Sequence, residues 1–172
     1  MLKIAITGGI GSGKSYISRQ LTTLFGIPVY DSDANAKRLN EESPVIRRGL
    51  IELLGNEVYF SDGSLNKPYL ASYLFANKEN ANKVNALIHP IVKADFLRWA
   101  EEQNVPVVAI ETALLAESGI DQIVDKIIRV DAPLELRIQR TIHRDGVTRE
   151  KVVERIVQQT EYPNPHIIIN NV

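Results

Sequence analysis

The segment Gly8-Gly9-Ile10-Gly11-Ser12-Gly13-Lys14-Ser15 constrains this chain more than any other. It satisfies G-x-x-x-x-G-K-[ST], a loop that has to stand between a strand and the first turn of a helix. Glycines let the backbone turn where a Cβ would clash, so successive N–H groups point inward as an anion-binding nest. Lys14 and Ser15 open the helix, whose N-terminus adds unpaired donors and partial positive charge. Lys14 can reach the outer phosphates of a nucleotide, and the Ser15 hydroxyl can ligate Mg²⁺. Both flanks fit. Leu2-Lys3-Ile4-Ala5-Ile6-Thr7 reads as a buried parallel strand. Ile17, Leu21 and Leu24 recur at helical spacing, with Arg19 and Gln20 off that face. A chance Gly-Lys-Ser in a glycine-rich turn would not carry such flanks.

At 172 residues the chain has room for one main core with a lid or small insert. A net charge of −1 gives no global pull toward nucleic acid or anionic membrane, so neither is expected as a partner. The absence of Cys excludes disulfides, thiolate metal sites and a Cys nucleophile, and it fits a cytoplasmic protein. Strand residues from position 2 onward predict no secretory signal. No apolar run approaches the roughly 18 residues of a membrane span. Oligomeric state is not legible.

Beyond Gly26, a C-cap candidate, Ile27-Pro28-Val29-Tyr30-Asp31 predicts a second strand. Asp31-Ser32-Asp33 closes it and opens a helix over Ala34–Leu39. Residues 41–103 hold no clear strand. Helices are expected around Val45–Leu54, after Asn66-Lys67-Pro68, and from Val84 to Trp99, the last kinked or divided at Pro90. Val105-Pro106-Val107-Val108-Ala109-Ile110-Glu111 predicts a third strand and Ile127-Ile128-Arg129-Val130-Asp131 a fourth. A helix from Leu134 ends near Gly146, another follows with Thr148 as its expected N-cap, and His166–Asn170 forms a last strand.

In parallel α/β sheets, ligands sit beyond the carboxyl ends of the strands. That rule selects the glycine loop, Asp31 and Asp33, Glu111, and the Arg137, Arg140 and Arg144 face after the fourth strand. Asp31 and Asp33 are also good helix caps, but a carboxylate there could accept a hydroxyl proton or hold a metal-bound water. Glu111 ends an apolar run where a Walker B motif would have Asp; it is equally a metal partner or a helix N-terminal charge. Arg suits bidentate phosphate contacts. His89, before Pro90, reads on its own as a packed or surface histidine, and Trp99 as core. The helix–turn–helix over 136–159 reads as a basic lid, which would exclude water.

Taken together, these stretches resemble the dephospho-CoA kinases: Thr7 to Ser15; Asp31-Ser32-Asp33; Leu87-Ile88-His89-Pro90 after Asn85-Ala86; Leu114-Leu115 with Glu117-Ser118-Gly119; Arg140 with Arg144-Asp145; Thr148-Arg149-Glu150; and Arg155-Ile156 with Gln159. The resemblance runs almost end to end. It implies an α/β P-loop kinase three-layer fold with a five-stranded parallel sheet. The nucleotide-binding core would comprise about 1–40, 104–135 and 160–172, with a helical CoA-binding insert about 41–103 and a lid about 136–159. It implies transfer of the ATP γ-phosphoryl to the ribose 3′-hydroxyl of dephospho-CoA, with Mg²⁺ as cofactor. Asp33 would be the base. Lys14 and Arg140 would stabilise transferring charge, and Ser15 would bind Mg²⁺. ATP would be held by Gly9, Ile10, Gly11, Ser12, Gly13, Lys14, Ser15, Tyr16 and Arg140, and the acceptor by Asp33, His89 and Arg144. Three features depart from the family's pattern: Tyr16 stands where a small Thr is usual, Ala113 where Pro is common, and Asn170-Asn171-Val172 where a glycine and a further helix usually follow. Another small nucleoside or nucleotide kinase, or a non-catalytic nucleotide-binding protein, is the alternative. A GTPase would need N-K-x-D, and Asn66-Lys67-Pro68-Tyr69 lacks its Asp.

Overall fold

A computed structural model describes all 172 residues, which fall into two compact units. The first comprises Met1–Asp31 and Ala100–Val172. Its sheet has five parallel strands: β1 (Leu2–Thr7), β2 (Val29–Asp31), β3 (Val107–Glu111), β4 (Lys126–Asp131) and β5 (Ile167–Asn170). Their order is β2-β3-β1-β4-β5. β1 is central, flanked by two strands, and its Ala5 and Ile6 are fully buried, as are Val108, Ala109 and Ile110 of β3. A near-continuous apolar run suits a strand covered on both faces. Ile17 and Leu21 of α1 (Lys14–Phe25) pack against the cluster of Ile6, Ala109 and Val130.

β2 and β3 each begin two residues later than their apolar runs predict. The cause is the same in both. Pro28 and Pro106 have no N–H to give to a ladder, and each lends only its carbonyl, to Ala109 and Leu2 respectively. Gly26 caps α1 in the left-handed region at φ 64°. The remaining helices of this unit are α6 (Leu134–Asp145) and α7 (Arg149–Gln158), joined through Gly146, which is also left-handed. Thr148 holds the N-cap position of α7, but its side chain accepts no backbone N–H. Its hydroxyl bonds Glu150 instead, and with Glu150's own backbone N–H it holds that carboxyl below its ordinary pKa.

The second unit, Ser32–Trp99, is helical: α2 (Ser32–Glu42), α3 (Pro44–Leu54), α4 (Lys67–Ala76) and most of α5 (Lys78–Glu102). Ser43 caps α3 by accepting from Ile46 N, and Asn66 caps α4 by accepting from Tyr69 N. Pro90 does not divide α5, which runs unbroken over 25 residues. A single proline removes one helical N–H, and the packing of Val84, Ile88, Val92 and Phe96, all buried, outweighs that loss. Phe96 stacks on Trp99 at 6.2 Å between ring centres. The turn at Ser61–Ser64 closes a small antiparallel bridge between Tyr59 and Leu65.

Candidate active site

The glycine loop joins the carboxyl end of β1 to α1. Ser12 N donates to Gly9 O at 3.1 Å, turning the chain, and Gly13, at φ 95°, is the residue from which α1 starts. The first turn of α1 contains no acidic residue, so its positive end is not neutralised from within. Gly11 is left-handed, at φ 75°, and a Cβ there would run into the carbonyl of Arg137. Backbone approach this close is open only to glycine.

Lys14 Nζ folds back over the loop and donates to Gly8 O at 2.9 Å and Gly9 O at 3.2 Å. Ser15 Oγ donates to Glu111 Oε1 at 2.8 Å. Glu111 ends β3 and pairs in register with Asp31 at the end of β2. A cleft of about 340 Å³ is lined by Ser15, Asp31 and Glu111 together with Arg19 and Thr22. Mg²⁺ favours hard oxygen ligands and is commonly held by one or two protein oxygens plus phosphates. The Ser15 hydroxyl and Glu111 carboxylate fit that demand, and no group of three or more acidic, His or Cys side chains forms a self-sufficient metal cage.

A larger cleft, about 540 Å³, opens beside the helix start. Lys14, Arg19, Arg140 and Arg144 line it with Tyr16 and Asn171, and no Asp or Glu side chain does. Four cations converging on one cleft make a basic, anion-attracting basin. Tyr16 is 50% exposed, so its ring lies along the cleft and needs no room in the core. Arg140 NH1 donates to Asn171 O at 3.1 Å, and Asn171 Nδ2 donates to Ser12 O at 2.9 Å. Asn171 thus ties Arg140 to the loop from just beyond β5.

Arg144 is exposed and engages Asp145 through two bonds, 2.6 and 3.1 Å. That pairing holds the Asp145 carboxyl below its ordinary range, with Arg155 adding to the effect, and raises the Arg144 guanidinium. Glu135 and Arg149 join α6 to α7 at 2.8 and 2.5 Å. Arg137, read from the sequence as part of a basic face with Arg140 and Arg144, is instead only 8% exposed. Its Nε donates to Ile10 O at 3.0 Å and its NH1 to Glu161 Oε1 at 3.2 Å.

The first unit therefore brings together Gly9 to Tyr16, Glu111, Arg140 and Arg144. Asp33 and His89 belong to the helical unit, Asp33 exposed in the first turn of α2 and His89 half-buried on α5. Reading the sequence left Gln159 and Asn171 without a role and gave Arg137 a place on the basic face that it does not occupy. Asn171 could have been found by applying the carboxyl-end rule to β5 as it was applied to the other strands.

The chain matches the family model for dephospho-CoA kinase over residues 2–166. A dephospho-CoA kinase from Porphyromonas gingivalis is 47% identical over 159 residues, covering 92% of this chain and 78% of that one. The crystal structure of TT1252 from Thermus thermophilus is 31% identical with a TM-score of 0.84, covering 99% of this chain and 88% of that one. A Campylobacter jejuni dephospho-CoA kinase, 20% identical, shares the fold at a TM-score of 0.62, covering 98% and 87%.

Proposed function

The chain belongs to the dephospho-CoA kinase family, and from that premise we propose that it transfers the γ-phosphoryl group of ATP to the ribose 3′-hydroxyl of dephospho-CoA, yielding coenzyme A and ADP. The observation that carries this reading is the basic basin at the start of α1, where Lys14 and Arg140 share one cleft with the glycine loop. Backbone N–H groups of the loop and the first turn of α1 hold the phosphates. Lys14 and Arg140 meet the charge that spreads over the transferring group. Mg²⁺, when bound, neutralises charge on the phosphate oxygens, and Ser15 with Glu111 would hold it or its water.

Asp33 takes the proton of the acceptor hydroxyl as its oxygen bonds to the γ-phosphorus and the bond to the ADP oxygen breaks. His89 and Arg144 bind the acceptor. In this reading residues 41–103 form the acceptor-binding insert and 136–159 the lid. Closure of the lid keeps water from competing for the γ-phosphoryl.

The test is mass spectrometry of dephospho-CoA incubated with ATP, Mg²⁺ and the protein. One added phosphoryl group at the 3′-hydroxyl is expected. Faster turnover of a nucleoside or nucleoside monophosphate in the same assay would overturn the choice of acceptor.

A further inference from the structure

Ile10 is gripped at both of its peptide groups, and the two grips come from opposite ends of the α6–α7 hairpin. Its C=O accepts from Arg137 Nε at 3.0 Å, and its N–H donates to Gln159 Oε1 at 2.7 Å. Arg137 stands in the first turn of α6, and Gln159 is the C-cap residue of α7. Arg137 NH1 also reaches Glu161 Oε1 at 3.2 Å, two residues beyond Gln159. Loop, hairpin root and hairpin exit thereby form one closed ring of contacts.

The packing agrees with the hydrogen bonds. A Cβ at Gly9 would meet the Arg137 guanidinium, and one at Gly11 would meet the Arg137 carbonyl and the Thr141 hydroxyl. Thr141 Oγ1 itself donates to Arg137 O at 2.8 Å. The tripeptide 9–11 therefore lies directly on the first turns of α6. An anion nest works only while its N–H groups converge, and rotating one peptide spoils the convergence of its neighbours. Fixing Ile10 at N–H and C=O fixes both peptides that flank it.

We propose that Gln159 and Arg137 are positioning residues that set the orientation of the Ile10 peptides, so that phosphate binding by the loop depends on the seating of the α6–α7 hairpin. This rests on the loop's phosphate-binding role above, and it goes beyond it by making the hairpin's exit residue part of nucleotide affinity. Gln159 lines neither cleft described above, so its effect is exerted through Ile10.

Two variants separate the acceptor oxygen from side-chain bulk. Gln159→Met keeps the length without an acceptor, and Gln159→Glu keeps an acceptor oxygen. ADP with Mg²⁺ is titrated against each variant in about 0.3 M salt, which screens the charge that Glu adds. Thermal unfolding and the steady-state kcat and KM for ATP are measured alongside. Gln159→Met is expected to weaken ADP binding about tenfold, the loss of one neutral hydrogen bond. It should also raise KM for ATP, with little change in melting temperature. Gln159→Glu is expected to recover at least threefold of that loss. Arg137→Lys, which keeps charge but not the planar Nε donor, should shift ADP affinity in the same direction as Gln159→Met.

Wild-type ADP affinity in Gln159→Met, a Glu variant as weak as the Met variant, or a change confined to melting temperature would each overturn the proposal. Because ADP binding involves no acceptor, a failure to phosphorylate dephospho-CoA would sink the proposed function while leaving this result readable.

Discussion

The surroundings of the glycine loop and the helical unit handle charge differently. In the helical unit, charged side chains mostly satisfy one another. Asp95, only 6% exposed, is held between Arg38 at 2.7 Å and Arg98, while Lys67 pairs with Glu41 and Lys83 with Glu79. In the sheet unit, the charged side chains near the glycine loop reach for backbone: Lys14 for Gly8 and Gly9, Arg137 for Ile10, Arg140 for Asn171. The difference follows from architecture. A parallel sheet ends in loops and helix starts whose carbonyls and amides have no ladder partners, and side chains converge on them. Helices satisfy their own backbone, so their side chains are left to pair across faces. The proposed nucleotide site is thus a backbone site braced by side chains. The chemistry assigned to Asp33 depends on one side chain.

That contrast can be broken most directly by a pair of substitutions. Lys14→Ala should lower turnover on the order of 10³-fold or more and weaken ADP binding, since it removes the cation proposed to meet the transferring group. Asp33→Asn should lower kcat by roughly 10²–10⁴-fold, the usual worth of a general base, while ADP binding stays unchanged. Steady-state kinetics with ADP titration reads both. Equal loss of ADP affinity in the two variants would erase the division of labour.

Next in size, Phe96→Ala should cost about 3–5 kcal/mol in denaturant unfolding, because a fully buried ring stacked on Trp99 is lost from the helical core. A cost near zero would mean that ion pairs rather than packing hold that unit. Glu111→Gln should then raise the Mg²⁺ concentration for half-maximal activity about tenfold, with ADP affinity in the absence of Mg²⁺ unaffected. An unchanged Mg²⁺ requirement would leave the Ser15–Glu111 bond as a purely structural tie.

The smallest effect concerns the proposed lid. The Asp145 carboxyl is depressed chiefly by Arg144, so its contribution to stability is present above the unfolded-state value near 4 and is lost as pH falls through the lower folded value. Asp145→Asn should therefore shed only roughly 0.2–1 kcal/mol at neutral pH, and less at high salt. It should also flatten the acid limb of stability measured by thermal unfolding from pH 5 down to 2. An acid limb identical to that of the unmodified protein would remove this ion pair from the account of the lid.

The parts legible in the sequence are those whose causes are local. The glycine loop needs its residues at fixed spacing, and a strand covered on both faces needs an unbroken apolar run, so the loop and the inner strands could be read directly, while the apolar run of β5 marked a strand that lies exposed at the sheet's edge. The largest errors in strand starts, two residues each, fell where a proline lent its carbonyl without entering the ladder, and β4 and β5 start one residue from the expected place. Asn66 could be read as a cap because the partner of a cap is three residues away. Arg137 could not be read, since periodicity alone put it with Arg140 and Arg144, and what buries it is a carbonyl 127 residues earlier. Gln159 and Asn171 were missed for the same reason, their partners lying 149 and 159 residues back. Thr148 occupies the expected position but spends its hydroxyl on Glu150. Pro90, a strong local signal, was overruled by helix packing that only the tertiary structure supplies.

Gly9 and Gly11 both lie against Arg137, yet they differ in whether their loss can be undone elsewhere. What a side chain at position 9 would strike is the guanidinium, the far end of a flexible group that a substitution at 137 could shorten. What a side chain at position 11 would strike is the main-chain oxygen of residue 137, which every amino acid carries, and the φ of 75° adds its own strain. A genetic screen for suppressors would thus find compensating changes at 137 for a Gly9 lesion and none there for Gly11. Of the two positions, Gly11 is the one whose substitution has no second-site escape at residue 137.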